Sequence, residues 1–207
     1  MKQTQDLTQT RLGDAFFTDV TTICGVKLKP FCLGHIILLE ALNNPIIGQE
    51  VKDIPLEDAI SHFFIALLIC ALSYEEALIL LTDEKVFSEE ITSFCDNLIK
   101  NMELEPSWNI VAKQTLFREY MSRHLDMPLY NETTTADGSA PSGNDWKTSI
   151  FVVFKKLGFS ESETLNMNIK KLFLTWAAYA ESEGAVKIMN KYEVDTIKKF
   201  NSQKGGV

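Results

Sequence analysis

The sequence predicts a mainly α protein, a helical bundle with at most one small β-hairpin near its N-terminus. Three observations carry this. Apolar residues recur at helical spacing from Leu33 onward. Two serines, Ser73 and Ser160, are each followed three residues later by a glutamate (Glu76, Glu163) at a helix start. That is a capping box, in which the serine and the glutamate satisfy each other's free backbone N–H groups. Strand-like alternation is confined to Val20–Lys29.

The elements follow in order. Residues 1–12 read as a disordered tail. In Val20–Lys29, Thr21, Thr22 and Ile23 precede Cys24-Gly25, and Val26 and Leu28 alternate with lysines. Gly25 supplies the turn and Pro30 ends the hairpin. Leu33–Asn43 is a first helix, closed by Asn43-Asn44-Pro45. Residues 55–72 form a second, with Pro55 in its first turn and Glu57 and Asp58 near the positive dipole end. Ser73 and Glu76 start a third, through Leu81. Ser88, with Glu90 and Ile91, starts a fourth that carries Phe94, Cys95, Leu98 and Ile99. After Pro106, Trp108 to His124 give a fifth. Residues 13–130 thus read as a helical domain with an N-terminal hairpin.

Residues 131–145 are rich in Thr, Ser, Gly and Pro and read as a polar linker or long exposed loop. Residues 146–207 then form a C-terminal helical hairpin and a tail helix. Ile150, Val153, Phe154 and Leu157 mark the first helix. Gly158 ends it, because glycine takes the left-handed C′ conformation without a Cβ penalty. Ser160 and Glu163 start a second helix carrying Leu165, Ile169, Leu172, Phe173, Trp176 and Ala180. The tail helix spans Ala185 to Phe200. The stretch Phe63–Glu76 echoes Phe151–Glu163: helix, small residue, large apolar residue, capping box. A degenerate duplication gives this pattern, and so do two hairpins that met the same capping physics independently.

Composition narrows the class. The chain has 207 residues, is 45% apolar and 23% charged, ordinary values for a globular protein that needs no disulfide staples. Cys24, Cys32, Cys70 and Cys95 lack CxxC spacing and read as reduced structural thiols of a cytoplasmic protein. The polar N-terminus has no signal-peptide core. The most apolar run, Phe63–Leu72, is far short of the roughly 20 residues a membrane span needs.

The net charge of −8 is unevenly spread: residues 1–146 carry −12 and residues 147–207 carry +4. The acidic part repels nucleic acid. The lysine-rich end suits an acidic surface, including the acidic half of a second copy, so a homo-oligomer is one expectation.

Catalytic signatures are missing. There is no GxSxG elbow, phosphate-binding glycine loop or HExxH. His35 reads as a capping or packing residue, His62 as a partly buried imidazole, and His124 as a cation at a helix C-terminus. The carboxylate pairs, Glu57-Asp58, Glu75-Glu76, Asp83-Glu84 and Glu89-Glu90, all fall at helix starts or loops. No enzyme, cofactor or metal is expected.

Two segments carry a family resemblance. Lys29-Pro30-Phe31-Cys32-Leu33-Gly34-His35-Ile36-Ile37-Leu38-Leu39-Glu40, followed by Asn43-Asn44-Pro45, resembles proteins encoded among bacteriophage and prophage tail genes. The segment from Asp145 through Leu157-Gly158-Phe159-Ser160-Glu161-Ser162-Glu163 and Leu165-Asn166-Met167 to Trp176 is similar to the helical hairpin of phage tail assembly chaperones. The resemblance leaves residues 50–130 unplaced. It implies a non-enzymatic protein of the bacterial host cytoplasm that binds the tape measure protein and tail tube subunits before the tail polymerises.

Phe159, Met167, Phe173 and Trp176 are the candidate partner contacts, with core burial of all four as the alternative. Rival readings are a structural head–tail or tail accessory protein kept in the particle, a host helical regulatory or adaptor protein, and a small enzyme with converging histidines.

Overall fold

The computed structural model describes residues 20–47, 55–103, 109–125, 130–132, 146–184 and 186–188. The fold is mainly α, with a small N-terminal hairpin. Cys24 and Gly25 take φ of 53° and 76°, the paired positive values a two-residue type I′ turn requires. Strands β1 (Thr21–Ile23) and β2 (Val26–Leu28) pair antiparallel across it, Ile23 opposite Val26 and Thr21 opposite Leu28. This register turns Ile23 and Leu28 into the core.

Helix α1 (Leu33–Ala41) starts at Cys32 with an unusual cap: the His35 imidazole, not a carboxylate, accepts the Cys32 N–H at 3.4 Å. Asn44 closes the turn after it, donating from Nδ2 to the His62 carbonyl and accepting from Ile46 N–H. Helix α2 (Leu56–Ala71) follows Pro55, and α3 (Tyr74–Thr82) starts at the Ser73–Glu76 box. Helix α4 (Glu84–Glu103) starts four residues before the Ser88 start expected from the sequence. Asp83 outcompetes Ser88, because its Oδ1 accepts from the N–H groups of Lys85 and Val86 at 3.0 and 3.1 Å. Helix α5 (Ile110–Leu125) is capped the same way by Asn109.

Beyond the 131–145 stretch, α6 (Trp146–Lys156) ends at Gly158, whose φ is +86°. The expected single helix after Ser160 is two. Helix α7 (Glu161–Asn166) stops where Met167 adopts an extended conformation, and α8 (Ile169–Ser182) resumes after Asn168. The break has a long-range cause. Asn168 bridges to Cys32, and Ile169 N–H donates to the Phe31 carbonyl at 3.0 Å.

The tail helix from Ala185 is corrected over its described part. Gly184, at φ +72°, ends α8, and Val186–Ile188 is a strand, β4, antiparallel to β3 (Tyr130–Glu132). Residues 1–12 and 189–200 lie outside the described residues, as does the linker apart from Asn131 and Glu132, which are in β3.

Two compact units result. One joins Thr18–Leu125 to Phe159–Ile169; the other holds the described residues of Asp126–Gly158 and Lys170–Val207. The stretch 146–207, expected from the sequence to be one piece, is therefore divided. In the first unit the core is a run of ring contacts. Phe31 meets Tyr120 edge-on at 5.8 Å, Tyr120 meets Phe117 at 5.5 Å, and Phe117 meets Phe63 edge-on at 5.9 Å. In the second unit Ile150, Phe154, Leu172 and Ala177 are buried, and Trp146 packs on Phe173 at 5.3 Å.

Two stability predictions arise here. Gly34 lies in α1, where alanine gains about 1 kcal/mol of helix propensity. A Cβ at Gly34 would sit 2.7 Å from Tyr74 Cδ2 and 2.8 Å from Tyr74 Cβ. The Tyr74 Cβ is anchored to its helix and cannot swing away, so overpacking of about 1–3 kcal/mol wins. Gly34→Ala is expected to lower the denaturation midpoint. Adding Tyr74→Ala removes the ring atoms at 2.7 and 2.9 Å but keeps the Cβ, so the double change should cost somewhat less than the sum of the two single changes without restoring wild-type stability.

Ser160→Ala is expected to cost about 1 kcal/mol. The Ser160 hydroxyl accepts Glu163 N–H at 3.2 Å, and Glu163 accepts Ser160 N–H at 2.8 Å. An unchanged melting temperature in this variant would show that the box contributes nothing to stability.

Candidate interaction surface

Two of the three histidines are committed to structure. Both ring nitrogens of the buried His35 are used. Nε2 donates to the Leu72 carbonyl at 2.9 Å, which leaves Nδ1 to accept from Cys32 N–H. Burial holds its pKa down to about 4, so the ring is neutral and has no lone pair to spare for a substrate. His124 is buried too, its Nδ1 donating to Tyr120 O at 2.7 Å. His62 is half-buried on α2.

Burial pushes the Cys32 thiol up to about 11 and Cys70 well above its ordinary value, away from the thiolate form a nucleophile needs. Among the described residues no group of three His, Cys, Asp or Glu side chains is placed to hold a metal ion. One crevice, bounded by Pro45, Ile46, Phe63, Gln114 and Phe117, holds about 40 Å³, against roughly 300–1,000 Å³ for small-molecule sites. Another, along Thr115, Arg118, Glu119, Ser122 and Arg123 of α5, reaches about 460 Å³ but is a shallow depression open to solvent, without the enclosure such a site has.

Two carboxylates at the start of α3, Glu75 and Glu76, make long-range contacts within the first unit. The echoed capping boxes bring α3 and α7 against each other. Glu75 accepts from Ser162 Oγ and from Asn166 Nδ2, and Asn166 Oδ1 accepts Tyr74 N–H at 2.9 Å. These hydrogen bonds, that of Ser162 foremost, hold the Glu75 carboxyl below its ordinary range. Glu76 falls to about 2, chiefly through the Ser73 N–H, with Lys29 Nζ 2.9 Å away. Both ends of the Lys29–Glu76 pair are about half exposed, so it contributes little.

The four candidate contacts from the C-terminal hairpin are divided. Phe159 and Met167 belong to the first unit, Phe173 and Trp176 to the second. Met167 and Phe173 are buried, while Phe159 and Trp176 are half-buried.

Accessible apolar surface is found on a helix pair that the sequence did not single out. Helix α4 carries an apolar stripe at spacings of three and four: Phe87, Ile91, Phe94, Cys95, Leu98. Only Leu98 is buried. Phe87, Ile91, Phe94 and Cys95 are half-buried, and Val86 and Ile99 are exposed. Helix α3 adds Leu78 and Ile79 on its outer side, Ile79 being 71% exposed.

The pair is strongly acidic. Residues 74–103 contain eight Asp and Glu against two lysines, so most of the chain's net charge sits there. Two signals in the sequence could have found it: the density of carboxylates and the length of the amphipathic pattern. What the sequence could not show is that the stripe is left only half covered.

No protein-family model, no curated protein and no solved structure matches the chain. Among the described residues no helix is long and apolar enough to cross a membrane.

Proposed function

We propose that this is a non-catalytic protein-binding protein whose working surface is the α3–α4 pair, and that its role is that of a phage tail assembly chaperone. The observation that carries the binding role is the half-open apolar stripe of α4. A 20-residue amphipathic helix normally spends its apolar face on its own core. Here the flanks of that face remain accessible, which suits an amphipathic helix of a partner laid alongside. The surrounding carboxylates keep such a surface in solution between encounters. The tail-assembly part rests on the resemblance of the 29–45 and 145–176 segments. It names the tape measure and tail tube proteins as partners.

Co-expression with the tape measure and tail tube proteins of its own genome tests this. At least one should be solubilised and co-purified. Ile99→Asp should abolish capture with little effect on stability, because Ile99 is exposed and surface changes usually stay within about 0.5 kcal/mol. If neither partner is captured and the protein is found in mature particles, it is a structural tail component.

A further inference from the structure

The acidic, half-open surface of α3–α4 has a complementary segment within the same sequence. Beyond β4, residues 191–204 carry four lysines, Lys191, Lys198, Lys199 and Lys204, against Glu193 and Asp195, interleaved with apolar residues such as Val194, Ile197 and Phe200. The chemistry is what the α4 stripe lacks: apolar side chains to cover its flanks and cations to meet its carboxylates. We infer that the α3–α4 surface of one molecule binds the lysine-rich C-terminal segment of a second copy, giving a reciprocal dimer in which each copy supplies one acidic face and one basic segment. This deepens the functional reading and rests on it for the identity of the face. Self-association then regulates the site, because a partner must displace the second copy to reach the stripe.

The electrostatic share of such a contact is open to screening. The Debye length falls from roughly 10 Å at 0.1 M salt to roughly 3 Å at 1 M. The carboxylates of Glu89 and Glu90 are exposed on α4, so reversing them leaves the core untouched.

Sedimentation velocity on the full chain is the test, with two charge-reversed variants: Glu89→Lys with Glu90→Lys, and Lys198→Glu with Lys199→Glu. The wild type is expected to be dimeric at 0.1 M NaCl, with its dimer fraction falling at 1 M. Each variant alone should be monomeric, since its faces and segments then carry like charge. An equimolar mixture of the two should recover the dimer, which also shows that both variants are folded. A wild type that is monomeric at every concentration overturns the inference and points to a segment held within its own molecule. A dimer insensitive to both reversals overturns it as well. Either result leaves the partner-capture experiment standing, so failure here is separable from failure of the binding role.

Discussion

Acidification from pH 6.5 to pH 4 is expected to cost the fold about 3 kcal/mol through one residue, His35. The folded-state pKa of His35 is lowered by burial from 6.5 to about 4, and each tenfold loss of proton affinity corresponds to about 1.4 kcal/mol. Because the folded value is the lower one, the unfolded chain binds the extra proton between these limits. Stability is therefore fully present above pH 6.5 and is lost as pH falls towards 4. Protonation of Nδ1 would set an N–H against the Cys32 N–H it now accepts.

The carboxylates act in a lower window. Glu75, Glu76 and Glu163 are all held below their ordinary value of 4.5, so their contributions decline only as pH falls below that range. Denaturation curves at pH 7, 6, 5 and 4.5 isolate the histidine. His35→Gln keeps a donor and an acceptor at the site but does not titrate, so its stability should be nearly flat over this interval. A wild type equally flat would show that folding does not take His35 out of water.

Tyr120→Ala is expected to cost about 3–5 kcal/mol, the range for deleting a large buried ring. Tyr120 is 1% exposed, packs against Phe31, Phe117 and His124, and donates its hydroxyl to the Lys29 carbonyl at 2.6 Å. It thereby fixes α5 to the end of the N-terminal hairpin. Tyr120→Phe separates the two contributions. It keeps the ring, loses the hydroxyl's bonds to the Lys29 carbonyl and the Cys70 thiol, and should cost about 1–2 kcal/mol. Urea denaturation of both variants checks the ratio. A phenylalanine variant as damaged as the alanine variant would mean that the hydroxyl, not the ring, carries the contact.

What was legible in the sequence was what local chemistry decides. The Cys24-Gly25 turn, the stop at Gly158 and the boxes at Ser73 and Ser160 each depend on residues within a few positions, and all are present. Local signals also compete. Asp83 and Ser88 are both good caps, and only the structure shows that α4 begins at the first. Features set by distant partners were not legible. The break at Met167-Asn168 exists because Asn168 and Ile169 meet Cys32 and Phe31. The β3–β4 pair joins residues 130–132 to 186–188, and a three-residue strand has no periodicity to read.

The candidate site failed to emerge for a related reason. Apolar spacing says that a helix has a face to bury, not whether anything in the fold covers it. Met167 and Phe173 found cover; the flanks of the α4 stripe did not.

The placement of residues 159–169 bears on how the protein is made. They complete the first unit, yet the sequence on both sides of them belongs to the second. A nascent chain leaves the ribosome N-terminus first, and its domains generally fold as they emerge. Here the first unit cannot finish at Leu125. Until Ile169 has been synthesised, the Phe31 carbonyl lacks its donor and Tyr74 N–H lacks the Asn166 acceptor, a partner 92 positions away. Contacts of such long sequence separation form late, because loop-closure entropy must be met first. The waiting intermediate exposes the seat of α7 until residues 159–169 have been made. A gene cut after codon 125 would make that intermediate permanent, and a peptide spanning 159–169, added in trans, is the reagent that would complete it.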